Sequence, residues 1–182
     1  WTAFVRDHPE GHFFQSWEWG DLQVELGATP VRIAATEGGR LTGAMLLLLF
    51  DTGSRRAVLV RAGHLPLYHY RMATGDVARV LPRGLGFGLS QEPLFDSELE
   101  EFPLAYAPGD VMLFVTDGVT ECQNEHGELF GEDRLSGLLS SEVPRQPSAT
   151  GLRDALAAAL QRFAGDTDPY DDQTIVVVRA VP

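Results

Sequence analysis

From Asp51 onward the chain breaks into short apolar runs separated by closely spaced turn signals, and that rhythm limits the folds open to it. "DTGS" reads as a turn, "AVLVRAG" and "LYHYRM" as strands, "ATGD" as a turn and "VARVL" as a strand. A glycine-rich loop, "PRGLGFGLS", follows with Gly84, Gly86 and Gly88. Then "LEEFPLAYAPGDVMLFVTDG" gives two strands broken at Ala107-Pro108-Gly109-Asp110. Connections this short suit antiparallel meanders better than βαβ units, whose crossovers need a dozen residues or more.

Two helices and a strand close the chain. One helix lies near 132–140. The other, over 151–164, places Leu152, Ala155, Leu156, Ala159, Leu160 and Phe163 on one face, with Gly165 as its stop. The last strand, "TIVVVRAV", is short and β-branched. At the other end, Ser16 can cap a short helix over "WEWGDLQVEL" that stops at Gly27. "PVRIAAT" and "LTGAMLLLLF" read as strands joined by the turn Glu37 to Arg40. The second is almost continuously apolar, as a strand covered on both faces would be. Residues 31–50 are expected to join the same sheet system as 57–72. The whole predicts an α+β fold, an antiparallel β-sandwich flanked by helices, in one structural unit.

Composition narrows the function. Hydrophobic residues make up 44% of the 182, enough for a core. Fourteen basic against 26 acidic residues leave a formal charge of -12. Such a surface repels phosphate backbones and anionic lipid, which argues against nucleic acid or a membrane as partner. An acidic protein that handles phosphate needs cations to bridge to it. The single cysteine, Cys122, forms no internal disulfide and fits a cytoplasmic setting. The longest apolar run, Ala44 to Phe50, is too short to span a bilayer. No signal peptide is expected, and the opening Trp1 suggests a fragment or processed form.

The candidate chemistry sits at strand ends. Asp117 and Gly118 close one apolar strand, while Asp171 and Asp172 precede another. Neighbouring strands would bring these carboxylates together. Clustered carboxylates repel unless protonated or bridged, and hard oxygen ligands suit Mg²⁺ or Mn²⁺. Both motifs also read as ordinary turns, since Asp and Gly are common turn residues. His64 in "RAGHLP" is within reach of a phosphate role but reads more simply as structural. The Gly84, Gly86, Gly88 run lacks the helix and acidic partner of a dinucleotide site. Cys122 reads as packing rather than nucleophile. Trp17 and Trp19 flank a polar position on the first helix, as a core anchor or an exposed patch.

Four stretches in order carry a resemblance: "RAGHLPLYHY", "GLGFGL", "APGDVMLFVTDGVTECQNEHGELFGEDRL" and "DDQTIVVVR". Over residues 43–182 the chain resembles the C-terminal part of the SpoIIE-like branch of PPM-type, metal-dependent protein phosphatases. In that family a water bridging two Mg²⁺ or Mn²⁺ ions attacks the phosphorus of a phosphoserine or phosphothreonine. The resemblance implies Asp117 and Asp171 as metal ligands, Asp172 as their support, and Gly118 as the point where backbone passes close to the metals. It implies a phosphorylated bacterial regulatory protein, of the anti-sigma antagonist type, as substrate. The family's first half supplies a Gly-Asp-x-x-x-Asp-like carboxylate and an Asp-x-Ser-Gly-His-Gly-type turn, and this chain has neither. Asp21 and Glu37 are the nearest stand-ins. Residues 12–49 instead resemble the opening segment of Fem-type peptidyltransferases, so the chain reads as a chimera joined near 43–50. The alternative to a phosphatase is a catalytically inactive, phosphatase-derived scaffold or binding module.

Overall fold

The computed structural model describes residues 45–86, 97–169 and 171–181. The helix over 17–26, the strand at 30–36 and the two tryptophans fall outside these residues. Chain contacts define two compact units, one of Trp1–His64 with Pro82–Ala105, the other of Leu65–Leu81 with Tyr106–Pro182. Among the described residues no helix is long and apolar enough to cross a membrane.

The first unit carries a three-stranded antiparallel sheet in the order β1-β2-β5. Strand β1 (Met45–Asp51) pairs with β2 (Arg56–Ala62), from Met45 against Ala62 to Asp51 against Arg56. The "DTGS" turn closes this hairpin because Asp51 caps it: Oδ1 accepts from the Gly53 and Ser54 amides, and Oδ2 from the Ser54 hydroxyl at 2.6 Å. Those bonds hold the Asp51 carboxyl below its ordinary pKa, the Ser54 hydroxyl contributing most. Strand β5 (Phe102–Ala105) extends the sheet along the first half of β2. Leu46, Leu48, Ala57, Leu59 and Leu104 are buried. Alternation in β2, with Ala57 and Leu59 in and their neighbours less covered, is the period expected of a strand with one better-packed face.

Beyond β2, Arg61 organises two loops. Its guanidinium donates to the carbonyls of Pro82, His64 and Gly84 at 2.7, 3.0 and 3.1 Å. A Cβ at Gly84 would lie 1.6 Å from the Arg61 carbonyl oxygen, so only glycine fits there. The glycine run is thus a packing device at this position. His64 takes part through its carbonyl.

The second unit is a four-stranded antiparallel sheet in the order β4-β3-β6-β7. It comprises β3 (Leu67–Tyr70), β4 (Val77–Val80), β6 (Val111–Val115) and β7 (Ile175–Arg179). Every ladder is antiparallel; of the three, only β3–β4 is closed by a short connection, residues 71–76. One expectation needs correcting. Strand 45–51 pairs with 56–62, but 67–70 lies in the other sheet rather than in one system with them. The "RAGHLP" segment holds the reason: Gly63 at φ 75 and Pro66 end the ladder before β3 begins.

Three helices serve this sheet: α1 (Asp117–Thr120), α2 (Gly131–Glu142) and α3 (Ala149–Ala164). Ser148 caps α3 by accepting from the Gly151 amide at 3.0 Å, and Gly165 at φ 60 ends it. Leu152, Leu156 and Leu160 of α3 and Leu135 and Leu139 of α2 are buried with Tyr68, Tyr70, Val111, Leu113 and Val115 of the sheet. Phe130 meets Phe163 edge to face at 5.2 Å, and the Arg134 guanidinium lies over Phe163 at 4.9 Å.

Two buried polar groups in this unit behave oppositely. Asp110 is only 4% exposed, yet its carboxylate accepts from the Met72 amide, the Ala107 amide and His69 Nε2 at 2.9, 3.0 and 3.1 Å. An unpaired buried carboxylate costs several kcal/mol, and three donors offset that cost. The geometry assigns the Nε2–H tautomer to His69. Tyr68, by contrast, has a buried hydroxyl without a partner among the described residues.

Asp110→Ala is expected to destabilise the protein by about 2 kcal/mol, because it orphans the buried His69 Nε2 and two part-buried amides, those of Met72 and Ala107. Chemical denaturation of the variant against wild type measures this, and a loss under about 1 kcal/mol would remove Asp110 from that role. Burial, helped by Glu132 and opposed by Arg79, pushes the Tyr68 phenol well above its ordinary pKa near 10. The unfolded chain therefore loses this proton first, so stability is full below about pH 10 and falls as pH rises beyond it. Tyr68→Phe is expected to leave stability at pH 7 unchanged or raise it by about 1 kcal/mol, and to flatten the alkaline decline. Thermal melts at pH 7 and pH 10.5 test both effects.

Candidate metal centre

The site grows out of the β6–β7 ladder. Its register runs from Val111 against Arg179 to Val115 against Ile175. All five residues of β6 are buried, which explains the unbroken apolar run "VMLFV". Past Val115 the ladder takes one more step, as the Thr116 amide donates to the Thr174 carbonyl at 3.2 Å. Then the backbones diverge and a side chain takes over. The Thr116 hydroxyl accepts from the Thr174 amide at 2.8 Å and donates to the Asp172 carbonyl at 2.7 Å.

That engagement shapes α1. Thr116 is the N-cap residue, with extended backbone at φ -80 and ψ 162, but its hydroxyl makes no capping bond. It is committed across to the other strand. The start of α1 is stapled locally instead: Asp117 Oδ1 accepts from the Gly118 amide at 3.0 Å, and the Val119 amide donates to the Thr116 carbonyl. Gly118 is buried against the 171–172 backbone. A Cβ on it would fall 2.6 Å from the Asp172 carbonyl oxygen and 3.0 Å from that of Asp171. Any other residue would push the two segments apart.

The structure therefore sets the turn that bears Asp117 in backbone contact with the one that bears Asp171 and Asp172. All three aspartates are exposed. The Asp171 carboxylate accepts from the Asp172 amide at 2.7 Å, which fixes its orientation along the chain. Exposed carboxylates on adjoining strand ends are the donor chemistry that hard divalent cations take. Among the described residues no group of three or more His, Cys, Asp or Glu is placed to hold a metal ion. What the structure brings together here is the backbone of the two turns, through Gly118 and the Thr116 hydroxyl. Asp21 and Glu37 lie outside the described residues.

Cys122 lies just beyond α1 and is buried. Burial pushes its thiol pKa up, a contact with Gln173 easing the rise, so the reactive thiolate is disfavoured. Sequence reasoning missed Thr116 and the His69–Asp110 pair. Thr116 left a signal, a threonine between an apolar strand and Asp-Gly. His69 left none, since a histidine between two strand tyrosines resembles any other covered position.

The model of the family described as Stage II sporulation protein E (SpoIIE) matches residues 28–181. This match runs across the 43–50 junction and takes in the second half of the segment compared with Fem-type peptidyltransferases, so the Fem-type fusion is without support. The phosphoserine phosphatase RsbU of Bacillus subtilis (strain 168) is 31% identical over 120 residues, 65% of this chain and 33% of RsbU. The chain thus spans about a third of the length of that relative. Among solved structures, the SiaA-PP2C domain of Pseudomonas aeruginosa superposes with a TM-score of 0.61 at 26% identity, over 74% of this chain and 50% of that one. The phosphatase domain of SpoIIE from Bacillus subtilis, presoaked with Mn, gives a TM-score of 0.54 at 18% identity, over 76% of this chain and 57% of its own, and shares the fold. The chain belongs to the SpoIIE family and has the α+β fold of its PP2C-type phosphatase domains.

Proposed function

We propose that this chain is phosphatase machinery for a phosphorylated serine or threonine on a regulatory protein, dependent on Mn²⁺ or Mg²⁺. The observation that carries the reading is the contact between the Asp117 turn and the Asp171 turn, in a chain of this family. RsbU is a phosphoserine phosphatase, and a SpoIIE domain has been soaked with Mn. Bound there, divalent cations would supply Lewis-acid neutralisation of phosphoryl oxygens and a water of lowered pKa. Asp117 and Asp171 would hold them, with Asp172 in support and Gly118 giving the close approach. The acidic surface makes such cations necessary for any phosphate to settle near these carboxylates.

Turnover by this chain is a separate matter. Two-metal hydrolysis needs a bridging carboxylate and ligands to both ions, and these act as a unit. The sequence offers no counterpart to the family's first carboxylate motif. The reading is therefore one weakly held ion and poor catalysis, in a cytoplasmic protein whose partner is a phosphoprotein. A second reading, a scaffold without chemistry, rests on the same missing motif.

Mn²⁺ titration and aryl-phosphate turnover test this together. Wild type is expected to bind Mn²⁺ and Asp117→Asn to lose at least about tenfold in affinity, as one of few charged ligands is removed. Turnover in millimolar Mn²⁺ is expected to stay close to the Asp117→Asn background. Activity far above that background would show a complete site; absence of Mn²⁺ binding would overturn the ligand assignment.

A further inference from the structure

We propose that Thr116 is a positioning residue for the cation-binding carboxylates, its hydroxyl setting how the Asp117 turn is placed along the Asp171 turn. The inference rests on the reading of Asp117 and Asp171 as ligands. Three geometric facts carry it. The hydroxyl is doubly used, accepting from the Thr174 amide at 2.8 Å and donating to the Asp172 carbonyl at 2.7 Å. It sits one residue before Asp117 and bonds to the residue just after Asp171. It gives up the capping bond to α1 that a threonine in this position ordinarily makes.

The backbone ladder alone does not set this junction. Regular pairing ends at Val115 against Ile175, and the Thr116 amide adds a single bond. Among the described residues no backbone amide donates to the Asp172 carbonyl. The hydroxyl fills that place. Its donor and acceptor functions are both required, so neither a methyl group nor an acceptor alone substitutes. Gly118 fixes how closely the two segments can approach, and Thr116 fixes their shift along the strand direction. Groups that orient metal ligands without touching the metal typically matter 10–100-fold in metal affinity.

The test uses the whole chain and Mn²⁺ alone as probe. Thr116→Val keeps the shape and removes the hydroxyl; Thr116→Ser restores it. Manganese affinity, read from the free-ion paramagnetic signal, is expected to fall about tenfold or more in Thr116→Val and to stay near wild type in Thr116→Ser. A merely structural hydroxyl would lower the melting temperature of Thr116→Val and leave the affinity of the folded protein unchanged. Unchanged affinity in Thr116→Val, with Asp117→Asn impaired, overturns the positioning role and leaves the ligand reading intact. Wild type that binds no Mn²⁺, or Asp117→Asn that binds as well as wild type, overturns both. Should Thr116→Val fail to fold, amide exchange in the wild type decides. Mn²⁺ is expected to slow exchange across 172–174, because a cation that needs the junction closed stabilises it. Exchange there that ignores Mn²⁺ overturns the proposal.

Discussion

The register of β6 against β7 is the constraint on which the rest of the second unit depends. With Val115 opposite Ile175, the aspartates at 117 and 171 leave the sheet at the same end. A slip of one residue would turn every side chain of β6 over, exchanging Val111, Leu113 and Val115 for Met112 and Phe114 against the helices. The helices therefore hold the register through Leu135, Leu139, Leu152, Leu156 and Leu160, none of which touches the site chemistry. Burial supplies the energy, and direction comes from hydrogen bonds at the two strand ends.

Both ends of β6 are pinned by short polar side chains, in different ways. At the start, Asp110 gathers donors from Met72, Ala107 and His69, while its own backbone pairs with Ala180. At the finish, Thr116 spans to 172 and 174. The Asp110 end is closed and buried, so it stabilises. The Thr116 end is half-buried and leads to exposed carboxylates, so it is open to solvent ions. One strand thus has a structural end and a chemical end. Its sequence shows this as Asp before the apolar run and Thr-Asp-Gly after it.

Much of this was legible because local rules agreed with the fold. Turn residues at Asp51, Gly75 and Gly109 marked the strand boundaries, and the 3.6-residue period of Leu152, Leu156 and Leu160 marked α3. The division between sheets was not legible. "AVLVRAG" and "LYHYRM" are both apolar strands separated by three residues, and nothing in their composition tells a hairpin from a change of sheet. The α1 turn was hidden for a related reason, since four residues are too few for a period. At the site, Asp117 and Asp171 could be named from their motifs, but their adjacency depends on pairing between strands 60 residues apart in sequence, a long-range contact with no local signature. Thr116 was visible as a residue and invisible as a function, because its partners are backbone groups of the distant strand.

Exposure of the carboxylates fits the proposed chemistry better than burial would. A buried aspartate such as Asp110 is already saturated by fixed donors, so a cation would have to displace them. Asp117 and Asp171 each spend one contact on a neighbouring amide of their own chain and face solvent. Exposed like charges repel only weakly in water, and a divalent ion between them turns that repulsion into attraction. The frame beneath them is built from hydrogen bonds between protein groups, those of Thr116 to 172 and 174 among them. On this reading the fold supplies rigidity first and leaves the charge uncompensated until cation and phosphate arrive together.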